Sequence, residues 1–175
     1  MKWSKQMEKY LLLKLNMNIS EIEKILEQKL ILEQKRDKRG DIYFTYFDDI
    51  NGIHINFTKE KNIESISFHP PFSLAVDGIK LGMDIKEVEK IKGLPERTSS
   101  FENDQGIEEW VYCSKNTFYL IVDKKVYEIQ IDEYFKKYLS NDDIEKLINS
   151  VNNVDKIEDC DFKISSSFDI DNIKK

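Results

Sequence analysis

Two histidines and two cysteines are the natural places to look for chemistry in this chain of 175 residues. His54 and His69 stand apart from each other and from Cys113 and Cys160, so no group of them has the spacing of a zinc site. A histidine-dependent nucleophile would need Cys113 or a serine to meet His54, and no motif supports that arrangement. No glycine-rich phosphate loop exists; Gly78, Gly82 and Gly93 are accounted for by helix entry and exit. The paired carboxylates Asp48-Asp49 and Asp142-Asp143 fall at a turn and a helix start, where capping uses them. Asp155 to Asp161 gathers four acids around Cys160 but lacks the spaced ligands and glycine of a calcium loop, and reads as a solvated acidic loop. The expectation is a non-enzymatic binding protein with no cofactor and no metal.

Composition narrows the partner. Hydrophobic residues make up 40% and charged residues 34%, as in an ordinary folded protein. The net charge of −6 gives a nucleic-acid partner no general electrostatic support. The one basic run, Lys35-Arg36-Asp37-Lys38-Arg39, is interrupted by an acid and carries no aromatic; it reads as a solvated turn rather than a phosphate patch. Leu11-Leu12-Leu13 is too short for a signal core and is closed by Lys14. No stretch approaches the roughly 20 apolar residues of a membrane span. Cys113 and Cys160, outside any CxxC spacing, read as isolated thiols of a reducing compartment, with a disulfide between them as the alternative. A cytoplasmic address, with no membrane partner, is therefore expected.

The elements that must position any site come from an internal repeat. Residues 14–26 and 80–92 are identical at eight of thirteen positions at an offset of 66. Weaker likeness follows: Phe44-Thr45-Tyr46 falls on Trp110-Val111-Tyr112, Ile53/Ile55/Phe57 on Phe118/Leu120/Val122, and Ile63/Ile66/Phe68 on Val126/Ile129/Ile131. Each copy opens with a helix. Ile19, Ile22, Ile25 and Leu26 form one apolar stripe, Ile85, Val88 and Ile91 the other. Asn18 and Asp84 are N-caps with Glu21 and Glu87 completing capping boxes. Period-two alternation then predicts strands over 42–48, 53–58 and 63–68, and over 108–113, 117–123 and 126–131, with leading strands near 30–35 and 97–102. Trp3, Met7, Tyr10 and Leu11 suggest a short amphipathic helix ahead of the first copy. Pro70-Pro71 marks the boundary. The organisation expected is 1–69 for the first repeat with its N-terminal helix, 70–138 for the second, and 139–175 for a C-terminal helix (140–151) and strand (162–170) packed on the repeats.

In the second copy, Gly82-Met83, Glu87-Val88, Gly93-Leu94-Pro95, Trp110-Val111-Tyr112, Leu120-Ile121-Val122 and Val126 occur in an order that resembles the small outer-membrane lipoprotein of the β-barrel assembly machinery (the SmpA/OmlA type). It is also similar to the tandem-repeat β-lactamase inhibitory proteins. The first copy keeps Met17, Glu21 and Ile22 but has Asn16 in place of the glycine and Glu27-Gln28-Lys29 in place of Gly-x-Pro. The lipoprotein's lipidated cysteine is absent. The resemblance implies an α+β fold in which two tandem helix-plus-antiparallel-sheet repeats form one curved sheet with helices on one face. It also implies work by binding another protein.

Strand parity predicts which face binds. Phe44, Tyr46, Ile55, Phe57, Ile66, Phe68, Trp110, Tyr112, Leu120, Val122, Ile129 and Ile131 form an apolar set suited to lie under helices. The opposite parity collects Tyr43, Phe47, His54, Asn56, Glu109, Tyr119, Asp123 and Glu128, the candidate partner-binding residues. Aromatics among polar and acidic groups have the composition of a protein-binding surface, and an ordinary solvated sheet face is the other reading. The acidic members would steer a basic partner, such as a toxin or enzyme, and the chain itself is expected to be a monomer or weak dimer. The functional expectation is an immunity-type or antagonist inhibitor, the alternative an assembly adaptor of the lipoprotein type.

Overall fold

The computed structural model describes residues 2–100 and 106–132. The expected C-terminal helix and strand lie outside the described residues, as does the end of the leading strand expected near 97–102. Two helices open the chain, α1 (Lys2–Tyr10) and α2 (Ile19–Leu26), followed by strands β1 (Glu33–Arg36), β2 (Ile42–Asp48), β3 (Ile53–Phe57) and β4 (Ile63–Phe68). Then come α3 (Ile85–Lys92), β5 (Arg97–Ser100), β6 (Ile107–Tyr112), β7 (Thr117–Val122) and β8 (Lys125–Asp132), with a 3-10 turn at Cys113–Lys115.

Both predicted capping boxes form. The Asn18 side-chain oxygen accepts from Ser20 N at 2.8 Å, and Glu21 accepts from Asn18 N at 3.0 Å. Asp84 accepts from Lys86 N at 2.9 Å, and Glu87 from Asp84 N at 3.3 Å. These bonds satisfy orphan donors of the first turn, which matters for helices of only eight residues. The two helix starts also dock on strands alike: Ile63 N donates to Met17 O and Val126 N to Met83 O, while Ile19 N donates to Lys61 O and Ile85 N to Lys124 O.

All eight strands join one open antiparallel sheet in the order β1-β2-β3-β4-β8-β7-β6-β5. Both edge strands are short and polar, Glu33–Arg36 and Arg97–Ser100, which discourages further pairing. The β2–β3 loop depends on Gly52. A Cβ there would sit 2.0 Å from His69 O, and the residue has φ +70, a left-handed value that glycine adopts without strain.

One core cluster takes Met7 and Tyr10 from α1, Ile22 and Leu26 from α2 and Val88 from α3. From the sheet it takes Ile53, Ile55, Phe57, Ile66 and Phe68, then Trp110, Tyr112, Tyr119, Ile121, Val126 and Ile129. Tyr10 ties α1 to β2: its hydroxyl donates to Asp48 Oδ2 at 2.6 Å and lies 3.1 Å from the Tyr46 hydroxyl. Tyr112 ties β6 to the end of α3 by donating to Gly93 O at 2.8 Å.

Two expectations need correction. Ile91 is 51% exposed, because a spacing of three residues drifts about 60° per turn and leaves Ile91 to the side of the Val88 line. More consequential, the parity of β7 is reversed. The ladder sets Tyr119 opposite both Trp110 and Ile129, so Tyr119 and Ile121 share the core face while Leu120 and Val122 take the other. Pairing β7 one residue out of step flips every side chain.

Candidate binding face

The face of β1–β4 and β8 turned away from the core carries an open groove of about 940 Å³. Direct pairing puts its rows in order. Thr45 lies opposite Glu33 on one side and Asn56 on the other, with Ser65 and then Asp132 beyond. In the next row Phe47, His54, Ser67 and Gln130 follow each other across β2, β3, β4 and β8. The basic run enters here, since Lys35 pairs with Tyr43, and Lys35, Arg36 and Arg39 line the groove beside Tyr43, Thr45 and His54. The solvated turn expected from sequence thus forms one wall of a concavity. The missed signal was β1, whose pairing with β2 carries the run to this face.

Phe47 is 43% exposed and stacks on His54 with ring centroids 4.1 Å apart and an interplanar angle of 13°. Lys35 Nζ lies 5.2 Å from the centre of the Phe47 ring, a cation–π contact at an exposed site. Lys35 also stands 3.7 Å from Glu33. Burial, the positive charge of Lys35 and the nearby His69 hold the His54 imidazole down to about 4, against a hydrogen bond with Asn56 that favours the charged form. His54 is therefore neutral at pH 7. Asn56 Nδ2 donates to Ser65 Oγ at 3.0 Å. The buried His54 Nε2 and Thr45 Oγ1 have no hydrogen-bond partner.

The structure brings Tyr43, Phe47, His54 and Asn56 together on β2 and β3, as parity predicted. It separates the others. Tyr119 is 1% exposed and meets Tyr112 edge-on at 5.6 Å, so it is a core residue and not a surface aromatic. Glu109 is on the expected face but 5% exposed, accepting from Ser99 Oγ at 3.2 Å. Burial raises its carboxyl, with Ser99 and Arg97 pulling the other way. Glu128 is half-buried and likewise raised by burial, opposed by Ser67 and His69. Asp123 sits in the exposed β7–β8 turn at φ 51, its N–H donating to Gly106 O. The acidic residues expected to steer a basic partner are thus dispersed, and two of them are largely withdrawn from solvent.

Cys113 also departs from the isolated-thiol expectation: it is disulfide-bonded. Among the described residues, no cluster of three or more His, Cys, Asp or Glu could hold a metal ion, and no helix is long and apolar enough to cross a membrane. Comparison with protein-family models, curated proteins and solved structures gives no match.

Proposed function

We propose that the chain is a non-catalytic protein-binding inhibitor of the immunity or antagonist kind, acting through the sheet face around Tyr43, Phe47 and His54. The observation that carries this reading is the groove itself. It is wide and open, lined by Tyr43 and the His54 ring, by cations and carboxylates of the β1–β2 and β3–β4 hairpins, and by hydroxyl and amide side chains, with the exposed Phe47 stacked on His54 beside it. Such a surface suits a protein loop better than a small enclosed ligand.

The architecture behind the groove is read as two units. Helix-start positions 17 and 19 recur at 83 and 85 with an offset of 66, and their strand partners 63 and 61 recur at 126 and 124 with an offset of 63. The β2–β3 and β6–β7 ladders begin at Asp48–Ile53 and Tyr112–Thr117, an offset of 64. The bulges of the next ladders, β3–β4 at Asn56/Phe57 and β7–β8 at Leu120/Ile121, keep that offset. At the junction Ser67 pairs with Gln130, flanked by Ile66–Ile131 and Phe68–Ile129, so exchanging the units maps the ladder onto itself. These regularities support two helix-plus-sheet repeats with their helices on one face, the arrangement of the tandem inhibitory proteins that the sequence resembles.

The test compares proteins retained by the wild-type chain with those retained by a Tyr43→Ala/Phe47→Ala variant, followed by an activity assay of whatever the wild type captures. The expected result is a partner whose activity falls as the chain is added. Its affinity should drop by at least about 2 kcal/mol in the variant, as for interface hot spots, with an unchanged melt. Equal retention by both proteins, or a captured partner whose activity is unaffected, would remove the inhibitor reading from this face. One observation favours the assembly-adaptor alternative: the disulfide at Cys113 suits an oxidising compartment rather than the expected cytoplasm.

A further inference from the structure

Resting on the protein-binding reading, we infer that the floor of the groove is a recognition site for an amide of the partner, an Asn or Gln side chain inserted between Thr45 and His54. Thr45 is only 2% exposed, lines the groove, and its hydroxyl is buried without a partner. A buried hydroxyl left unpaired is costly, and native proteins avoid it unless another molecule completes the bond. The second orphan, His54 Nε2, lines the same groove. Thr45 and His54 lie on neighbouring strands, Thr45 opposite Asn56 and His54 opposite Phe47, each facing the residue two along from the other, so their side chains are diagonal neighbours on one face.

The chemistry of the two atoms follows from what surrounds them. Asn56 donates one amide N–H to Ser65 Oγ, and its oxygen is the acceptor it offers the imidazole. The ring bond with Asn56 favours the protonated ring, as a ring N–H donor does. With the N–H at Nδ1 directed to that oxygen, Nε2 of the neutral ring is an acceptor. The Thr45 hydroxyl is free to donate. A primary amide fits the pair: its N–H donates to Nε2 and its carbonyl accepts from the hydroxyl. A carboxylate would match Thr45 but oppose a neutral acceptor nitrogen, and would lie near Glu33, which pairs opposite Thr45. Lys35 is partly committed to Glu33 and Phe47, so the floor remains a neutral site beneath a charged rim.

Two probes decide it: N-acetyl-glutamine N-methylamide and its glutamate counterpart, each titrated into the whole protein while the Thr45 amide and His54 ring resonances are followed. The expected result is saturable shifts with the glutamine probe and at least fivefold weaker binding of the glutamate probe. Thr45→Val should weaken the glutamine probe by at least about fivefold, and Thr45→Ser, which keeps the hydroxyl, should retain it. Backbone spectra of both variants establish that they are folded. Preference for glutamate, or glutamine binding that survives Thr45→Val, would overturn the amide site. If the glutamine probe leaves both residues unmoved while the Tyr43→Ala/Phe47→Ala variant still loses its captured protein, the amide inference fails and the protein-binding reading stands. Saturable Thr45-dependent binding alongside equal retention of captured proteins keeps the amide site and removes the inhibitor reading.

Discussion

His54 and Tyr119 look alike in the sequence, each a ring on the same parity of a strand, yet the fold gives them different tasks. His54 stays neutral on the groove face because burial and Lys35 both oppose its charge. Its folded pKa of about 4 lies below the ordinary 6.5, so the unfolded chain takes up the proton first as pH falls. The stabilisation is complete above about 6.5 and is lost as pH drops toward 4. A shift of this size corresponds to about 3 kcal/mol, which the ring's partial exposure reduces to roughly 1–2. Glu109 and Glu128, whose carboxyls are raised by burial, act in the opposite sense and gain stability as they protonate. The clean measurement is therefore a difference: urea melts of wild type and His54→Gln at pH 7, 5 and 4 should converge as the pH falls. A constant gap would place the His54 titration at its ordinary value. For Tyr119, truncation to Ala should cost about 3–5 kcal/mol, as Trp110→Ala should, both being large core aromatics. A Tyr119 loss below about 1 kcal/mol in a chemical melt would return that ring to the surface.

At the scale of elements, the short helices hold because their ends are tied. α2 and α3 each have eight residues, below the length at which an isolated helix persists in water. Their capping boxes and the backbone bonds to the β3–β4 and β7–β8 turns compensate. Asn18→Ala and Asp84→Ala should each lower stability by about 1 kcal/mol, and by nearly equal amounts, since the two starts make the same bonds. Paired melts would check this; a cost at one site alone would mean that the helix starts are held differently. These elements were legible in advance because caps and stripes are local patterns. Strand existence was also legible, and so was the face of β2, β3 and β4. The face of β7 was not. Phe118, Tyr119, Leu120, Ile121 and Val122 form an unbroken apolar run, so alternation carries no information there, and either parity satisfies the local pattern.

For the whole molecule, the sheet passes from one half to the other at β4–β8 without a break, and Cys113 at the end of β6 is disulfide-bonded. A thiol assay of the denatured, unreduced monomer should therefore find no free cysteine, whereas two titratable thiols would restore the reducing-compartment reading. Removing the bond by Cys113→Ser should cost about 2–4 kcal/mol. The groove is also a whole-molecule property. It needs β1 to carry Lys35 and Arg36 beside Tyr43, and β8 to bring Gln130 and Asp132 beside Ser65 and Ser67, residues that lie far apart along the chain.

What the sequence determined by itself was everything encoded at short range: the capped helices, the turns, most strands, and the grouping of Tyr43, Phe47, His54 and Asn56 on two adjacent strands. Those features follow from periodicities of 3.6 and 2 and from side chains that bond their own backbone. Only the tertiary structure decided which residues of the apolar β7 face the core, that Glu109 is buried, that Cys113 is bonded, and that a basic hairpin walls the groove. The facing of β7, the burial of Glu109 and the groove wall depend on which strand lies beside which and in what register. A ladder can slide by one residue without changing any local preference, and only the packing of the whole core fixes where it stops.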